Sequence, residues 1–129
     1  MAKIIGIGGV FFKVRNGEAV REWYRRVLDL EINDWGGVFF TPELASRTPG
    51  AGTVWSSFEQ ETTYFTPSQR DFMINFMVDD LDAIIARCKE HGVEPLKAFA
   101  DEANGKFAHI MGPEDIKIEL WEPKPMAES

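Results

Sequence analysis

Two parts of the chain share one order of hydrophobic and polar positions. In each, a β-rich run comes first, and apolar residues then recur at helical spacing. "GIGGVFFKV" precedes "RNGEAVREWYRRVLDL", and "DFMINFMV" precedes "DDLDAIIARCKEHG". Asn16 is placed to cap the first helix, Asp79 or Asp80 to cap the second, and Gly92 to end it. The pattern therefore predicts a strand followed by a helix, twice.

One offset aligns the two copies. Adding 64 takes Val14 to Val78 and Ala19 to Ala83 without a gap, and takes "TVWSSFE" onto "KIELWEP". "FFTPE" matches "IMGPE" at an offset of 71, because the first copy has the longer loop "PELASRTPGAG". Such self-similarity indicates a duplicated unit. We predict a single domain, 1–129, of two strand–helix–strand–strand–strand (βαβββ) modules: module one about 3–60, a linker about 61–69, module two about 70–122 and a tail 123–129.

The amino-acid composition limits the expected cellular location and the classes of binding partner. Hydrophobic residues make up 44% of the chain and charged residues 27%, which is typical of a soluble globular domain, and no apolar run is long enough to span a bilayer. A net charge of −7 disfavours nucleic acid as a partner. The single Cys88 cannot form an internal disulfide, so a reducing cytoplasm is the simplest location. We therefore expect a cytoplasmic protein without a nucleic-acid or membrane partner.

Alternation along the predicted strands separates two faces. One face is uniformly apolar, as strands covered by helices require: Val10, Phe12, Val54, Ile74, Phe76, Ile118 and Leu120. The other face mixes aromatic side chains with a few polar groups, which is the usual composition of a small-molecule site. The candidate ligand-binding residues are Phe11, Trp55, Ser57, Asn75, Met77, His109 and Trp121, with the face of His109 left open.

The paired modules, together with "EWYRRVLDLEI", "VDDLDAIIARCKEHGV" and the closing "GPEDIKIELWEP", resemble the vicinal oxygen chelate superfamily. That superfamily includes glyoxalase, bleomycin-resistance protein and extradiol dioxygenase. The resemblance implies an α+β fold in which two modules form a curved, incompletely closed eight-stranded cleft with helices outside. It also implies a homodimer. The sequence departs from the family ending at Gly112, where Asp is usual, and at "EDI", where a turn glycine usually lies.

The resemblance also locates where a metal would bind. Metal-dependent members place ligands on the first and last strands of each module, and these positions fall here at Gly9, Trp55, Met73 and Glu119. Only Glu119 offers a ligand suited to a hard divalent ion, and one carboxylate does not hold such an ion against water. We therefore predict no metal cofactor; a shifted register would recruit Glu59 or His109 instead.

Two functions follow from these residues. The first is a glyoxalase, bleomycin-resistance or dioxygenase-like protein that binds a small aromatic or amphipathic molecule between the modules without a metal. The alternative is a lyase, isomerase or dioxygenase that uses a divalent metal, or Glu119 as acid or base. A structural role for Glu119, paired with Lys13, Lys117 or Arg70, stays open alongside these.

Overall fold

The structure is a computed structural model that describes residues 2–98 and 101–125. Its elements are mixed α+β, as the sequence predicts: α1 (Gly17–Leu28), α2 (Pro42–Ser46), β1 (Ile74–Met77), α3 (Leu81–Glu90), β2 (Lys97–Ala98), β3 (Gly105–Met111), a 3₁₀ helix (Pro113–Asp115) and β4 (Lys117–Pro123). Most of the predicted tail, residues 126–129, lies outside the described residues. Within the described ranges, no helix has the length and apolar character needed to cross a membrane.

The strands form one sheet in the order β1-β4-β3-β2. β1 runs parallel to β4, while β2 with β3 and β3 with β4 are antiparallel. Parallel neighbours cannot be joined by a tight turn and need a long crossover, which α3 begins after β1. The register sets Asn75 of β1 and His109 of β3 opposite the same residue of β4, Glu119. The three side chains therefore form one row across the middle of the sheet.

The hydrophobic core lies between the sheet and helices α1 and α3. α1 has apolar side chains at three- and four-residue intervals, which places one stripe of them against the sheet. The buried cluster consists of Val20, Tyr24, Val27, Leu81, Cys88, Ala108, Ile110, Ile118 and Leu120. Ile118 and Leu120 are 0% and 1% exposed, so the predicted apolar face of β4 does point into the core.

The two helices begin in the same way. α1 starts at Gly17 and α3 at Leu81, which are 64 positions apart (81 − 17). The Asn16 side chain accepts a hydrogen bond from the backbone N–H of Ala19, and the Asp80 side chain accepts one from that of Ala83. Each cap satisfies one of the helix N–H groups that have no partner within the helix. The offset read from the sequence is therefore reproduced in the helix caps.

The predicted eight-stranded cleft is not confirmed. All four strands of the described residues belong to the second copy of the repeat, and the segments predicted as strands of module one are not in a sheet. Three side chains assigned to the covered face of module one, Val10, Phe12 and Val54, are 62%, 40% and 73% exposed. Alternation of apolar and polar residues indicates that a segment is suited to a strand. The strand forms only where a second strand supplies hydrogen bonds to it. Those segments lack that second strand in this structure.

The turn between β3 and β4 ties distant segments together. Glu114 and Asp115 have positive φ angles of 58° and 64°. They belong to the "EDI" segment, where the sequence resemblance leads one to expect a turn glycine, the residue that adopts such angles most easily. The Glu114 carboxylate accepts hydrogen bonds from the backbone N–H groups of Arg15 (2.6 Å) and Asn16 (2.8 Å), just before α1. Asp115 accepts hydrogen bonds from Ser68 Oγ (2.5 Å) and from the N–H of Gln69 (2.7 Å). The turn therefore fixes the end of the predicted linker beside the sheet.

Candidate functional site

A carboxylate surrounded by three hydrogen-bond donors lies on the sheet face opposite the helices. Glu119 Oε1 accepts from Asn75 Nδ2 at 2.8 Å. Glu119 Oε2 lies 2.7 Å from His109 Nε2 and also accepts from the hydroxyl of Tyr64. An ionised carboxylate can only accept, so Nε2 is the protonated nitrogen of His109 in this contact. The side chains of His109 and Glu119 are 2% and 12% exposed, respectively.

The hydrogen bonds decide the charge state of Glu119. Burial on its own would raise the pKa of this carboxyl, and it is the largest single influence. Hydrogen bonds from His109, Tyr64 and Asn75 together outweigh it and lower the pKa below the ordinary value of 4.5. Glu119 is therefore an ionised acceptor at neutral pH. A lowered pKa makes it a weak general base, which favours the structural role that the sequence left open.

None of the three donors is among the partners expected for Glu119, which were Lys13, Lys117 and Arg70, but two of them were candidate site residues. Asn75 and His109 were candidate site residues, and the register brings both to Glu119. The Arg70 guanidinium Nε donates instead to the backbone carbonyl of Glu114, at 3.2 Å. Tyr64 was missed, because it lies in "QETTYFTPSQR", whose composition indicates only a connecting segment. No periodic pattern could have placed its side chain over the sheet.

A cavity of about 480 Å³ opens beside this row. Its walls combine apolar surface with hydroxyl, imidazole and ammonium groups, from Thr63, Tyr64, Thr66, Pro67, Leu96, His109 and Lys117. Lys117 is 6% exposed, and its Nζ donates to the backbone carbonyl of Tyr64 at 2.6 Å. A smaller cavity of about 230 Å³ is lined by Tyr64, Glu102, Asn104 and Phe107. Both volumes lie against the linker, not between two half-sheets.

The remaining candidates divide into two groups. Trp121 and Met77 lie opposite each other in the register, on the same face as Glu119. Trp121 is buried, stacks on Phe107 with ring centres 5.9 Å apart, and donates from Nε1 to the Asn104 carbonyl at 2.9 Å, so it is a packing residue here. Phe11, Trp55 and Ser57 are exposed. Of the seven candidates, His109 is the one that lines either of the two cavities among the described residues.

The residues at the family's metal positions do not fit a divalent ion. Gly9 has no side-chain donor, Met73 offers a thioether, and the indole of Trp55 is 79% exposed. Glu119 is the single carboxylate among them, and three donors already occupy most of its roughly four acceptor sites. Across residues 2–98 and 101–125, no three His, Cys, Asp or Glu side chains are grouped so as to hold a metal.

Comparisons with known proteins agree with the sequence resemblance. A family model described as a glyoxalase-like domain matches residues 9–120. A glyoxalase family protein from Bacillus cereus is 24% identical, with a TM-score of 0.39, over 54% of this chain and 46% of that protein, so the chain spans less than half of its length. A structure described as a conserved domain protein is 15% identical, with a TM-score of 0.51, over 86% of this chain and 92% of that one.

The two structural matches differ from the family match in what they establish. At 15% identity the second structure shows a shared fold alone. No functionally curated protein matches the sequence. The family match covers most of the chain, including the first half, where the strands are not formed. The chain therefore belongs to the glyoxalase-like domain family, within the vicinal oxygen chelate superfamily.

Proposed function

We propose that the protein binds a small, flat or amphipathic organic molecule on the Glu119 face of the sheet, without a resident metal. The observation that carries the proposal is the cavity of about 480 Å³, which adjoins the row formed by Asn75, Glu119 and His109. Its volume falls in the range of small-molecule sites, roughly 300–1,000 Å³. Its walls offer the apolar surface and the few polar groups that such ligands use to orient themselves.

The donor arrangement supports binding without a metal. A divalent ion at Glu119 would have to displace Tyr64 or Asn75 and would gain a single carboxylate in return. His109 points its protonated Nε2 at Glu119, so this nitrogen cannot coordinate while that bond persists. Hard cations need several oxygen ligands at once to compete with water. The residues of this face therefore suit an organic ligand better than a cation.

A ligand screen tests the proposal. Chelator-treated protein is screened by thermal shift against a library of aromatic and amphipathic fragments. A fragment at ten times its Kd adds about 1.4 kcal/mol of stability, or about 5 °C in Tm for a chain of this size. Leu96→Asp, in the cavity wall, should abolish the shift. Leu44→Asp, outside both cavities, should retain it; Leu44 is 55% exposed and Leu96 45%, so the two changes are comparable.

A titration with divalent metal ions tests whether binding is independent of a metal. Adding Ni²⁺, Mn²⁺ or Zn²⁺ to the chelated protein should move Tm by less than about 1 °C, because no described group of ligands gains from the ion. A large rise in Tm that a chelator reverses would contradict the metal-free proposal. Fragment hits that disappear after chelation would do the same.

A second candidate function is supported by the His109–Glu119 contact. A buried carboxylate that accepts from one imidazole nitrogen fixes the tautomer and the orientation of the ring, which is the arrangement of many acid–base pairs. In this alternative His109 moves the proton and Glu119 orients it, as in an isomerase or lyase. Isomerisation of glutathione hemithioacetals and ring cleavage of catechols are the assays. Activity that is lost in Glu119→Gln would favour this function over passive binding.

We also propose that two copies associate in solution. Among the described residues of the first half, seven large apolar ones are at least 70% exposed: Ile4, Ile5, Phe11, Trp35, Phe39, Val54 and Trp55. Burial of such side chains against a second copy would remove apolar surface from water, which is the main favourable term in association. The proposed partner is a second copy, in agreement with the homodimer that the sequence resemblance implies. Light scattering after size exclusion should give twice the chain mass; a monomer at micromolar concentration would contradict this.

A further inference from the structure

The side chain of Tyr64 contacts two rings, an ammonium group and a carboxylate. Its ring stacks on Phe58, with centres 5.4 Å apart and planes at 21°, and meets the edge of His109 at 5.2 Å. The Lys117 ammonium lies 5.5 Å from the ring centre. The hydroxyl donates to Glu119 Oε2. Aromatic stacking, a cation at the ring and a charged acceptor for the hydroxyl are the contacts that recognise a phenol.

Tyr64 also lies between the two cavities, so movement of its side chain would change both of them. Among the described residues, Tyr64 alone lines both the cavity of about 480 Å³ and the cavity of about 230 Å³. The side chain is 37% exposed, so solvent already reaches part of it. If the ring swung out, the two cavities would share the volume that it leaves, and Glu119 Oε2 would lose one of its two donors.

The backbone around Tyr64 is anchored independently of its side chain. The N–H of Thr66 donates to the carbonyl of Thr63 at 3.1 Å, and the N–H of Ser68 donates to that of Phe65 at 3.0 Å. The Tyr64 carbonyl accepts from Lys117 Nζ. These bonds persist when the ring rotates, because none of them involves the phenol. The side chain can therefore leave its place without unfolding the segment.

We propose that the place held by the Tyr64 side chain is a phenol-binding site, and that Tyr64 is a built-in competitor for it. The ligand class is a neutral, planar aromatic molecule whose hydroxyl takes over the hydrogen bond to Glu119. This inference rests on the proposed function in one respect, namely that ligands enter the same face of the sheet. A carboxylate or phenolate does not fit, since it would face the ionised Glu119 without a proton to donate.

The behaviour of the Tyr64 hydroxyl agrees with this ligand class. Burial, followed by the hydrogen bond and the negative charge of Glu119, raises the pKa of Tyr64 above its ordinary value of 10.0. The site therefore holds the phenol in its protonated, donating form. It would impose the same requirement on a molecule that replaced Tyr64.

The test removes the competitor and supplies its side chain separately. p-Cresol is the molecule obtained by cutting the tyrosine side chain at its Cα–Cβ bond. By calorimetry, Tyr64→Ala should bind p-cresol about tenfold more tightly than the unchanged protein does, because no internal phenol has to be displaced. It should also prefer p-cresol about tenfold over 4-methylanisole, which has the same ring but no hydroxyl proton. Circular dichroism confirms that the variant is folded.

Two further variants separate the ring from the hydroxyl bond. Tyr64→Phe retains the ring but no longer donates to Glu119. It should therefore bind p-cresol more tightly than the unchanged protein and less tightly than Tyr64→Ala. In the Tyr64→Ala background, Glu119→Gln should reduce the preference for p-cresol over 4-methylanisole to about threefold or less, because a neutral acceptor makes the weaker bond. Binding of p-cresol by Tyr64→Phe that is no tighter than by the unchanged protein, or equal binding of the two probes by Tyr64→Ala, would overturn the inference.

The outcomes also distinguish this inference from the proposed function. If folded Tyr64→Ala does not bind p-cresol while fragments still stabilise the unchanged protein through the wall at Leu96, the phenol site is wrong and the cavity site stands. If p-cresol binds Tyr64→Ala as described while no fragment stabilises the unchanged protein, the phenol site stands and the cavity is not a site in its own right.

Discussion

His109 and Glu119 lie directly opposite each other on β3 and β4, and their side chains meet at 2.7 Å. Both lie on the face of the sheet opposite the helices, yet only 2% and 12% of their side-chain surfaces are accessible to solvent. The linker supplies that cover, because Tyr64 reaches back over the row and donates to the same carboxylate. A polar group buried in this way stabilises the fold only while its partners remain in place. The first two predictions follow from this dependence.

Removing the imidazole of His109 should show how much its hydrogen bond to Glu119 contributes to the free energy of unfolding. His109→Phe keeps a ring in place but leaves Glu119 short of a donor, and should lower the free energy of unfolding by about 1.5–3 kcal/mol. In a Glu119→Gln background the same change should cost about half as much, since charge-assisted hydrogen bonds are roughly twice as strong as neutral ones. Urea denaturation of the four proteins measures this coupling. Costs that add to within about 0.5 kcal/mol would mean that the two side chains do not interact.

Low pH should decrease the free energy of unfolding, because it protonates Glu119. Its pKa is lower in the folded state than the ordinary 4.5, so the ionised carboxylate contributes stability at pH values above the unfolded value. That contribution is lost as the pH falls through the folded pKa. The difference in stability between the unchanged protein and Glu119→Gln should therefore be largest near neutral pH and shrink below about pH 4.5. Denaturation curves that keep a constant difference across this range would contradict the assignment.

The sequence predicted what depends on local pattern. Helix positions follow from apolar spacing and from capping residues, and Asn16 and Asp80 do cap α1 and α3. Strand parity follows from alternation, so Glu119 was placed on the face opposite Ile118 and Leu120. These features need information from only a few neighbouring residues. They could therefore be predicted from a single sequence.

The sequence could not predict what depends on distant partners. Residues 53–59 alternate as well as β4 does, yet no second strand pairs with them in the described structure. Pairing depends on the partner strand as much as on the segment itself. Tyr64 illustrates the same limit, because its place over the sheet results from the anchoring of Ser68 and Gln69 to Asp115, 47 and 46 positions away.

Loss of either helix cap should destabilise the protein to a similar degree. Asn16→Ala and Asp80→Ala each remove a side-chain acceptor from a backbone N–H, at Ala19 and Ala83 respectively. Each should cost about 1 kcal/mol, the usual value of an N-cap. Asn16→Asp, which retains an acceptor, is the matched control and should be nearly neutral. Thermal unfolding of the three variants checks this; a cost below about 0.3 kcal/mol for either alanine variant would mean that its cap contributes little.

The contrast between the two halves of the repeat gives the last prediction. Ile118 on β4 is fully buried, whereas Ile5 in the first half is 99% exposed. Ile118→Ala should lower the free energy of unfolding by about 2–5 kcal/mol, because it removes buried methyl groups and leaves a cavity. Ile5→Ala should change it by less than about 0.5 kcal/mol in a monomer, since it removes no internal contact. Measured at low protein concentration, a loss of 2 kcal/mol or more in Ile5→Ala would mean that the segment is packed within its own chain. A loss that appears only as concentration rises would instead place Ile5 in the interface between two copies, because stability is then linked to association.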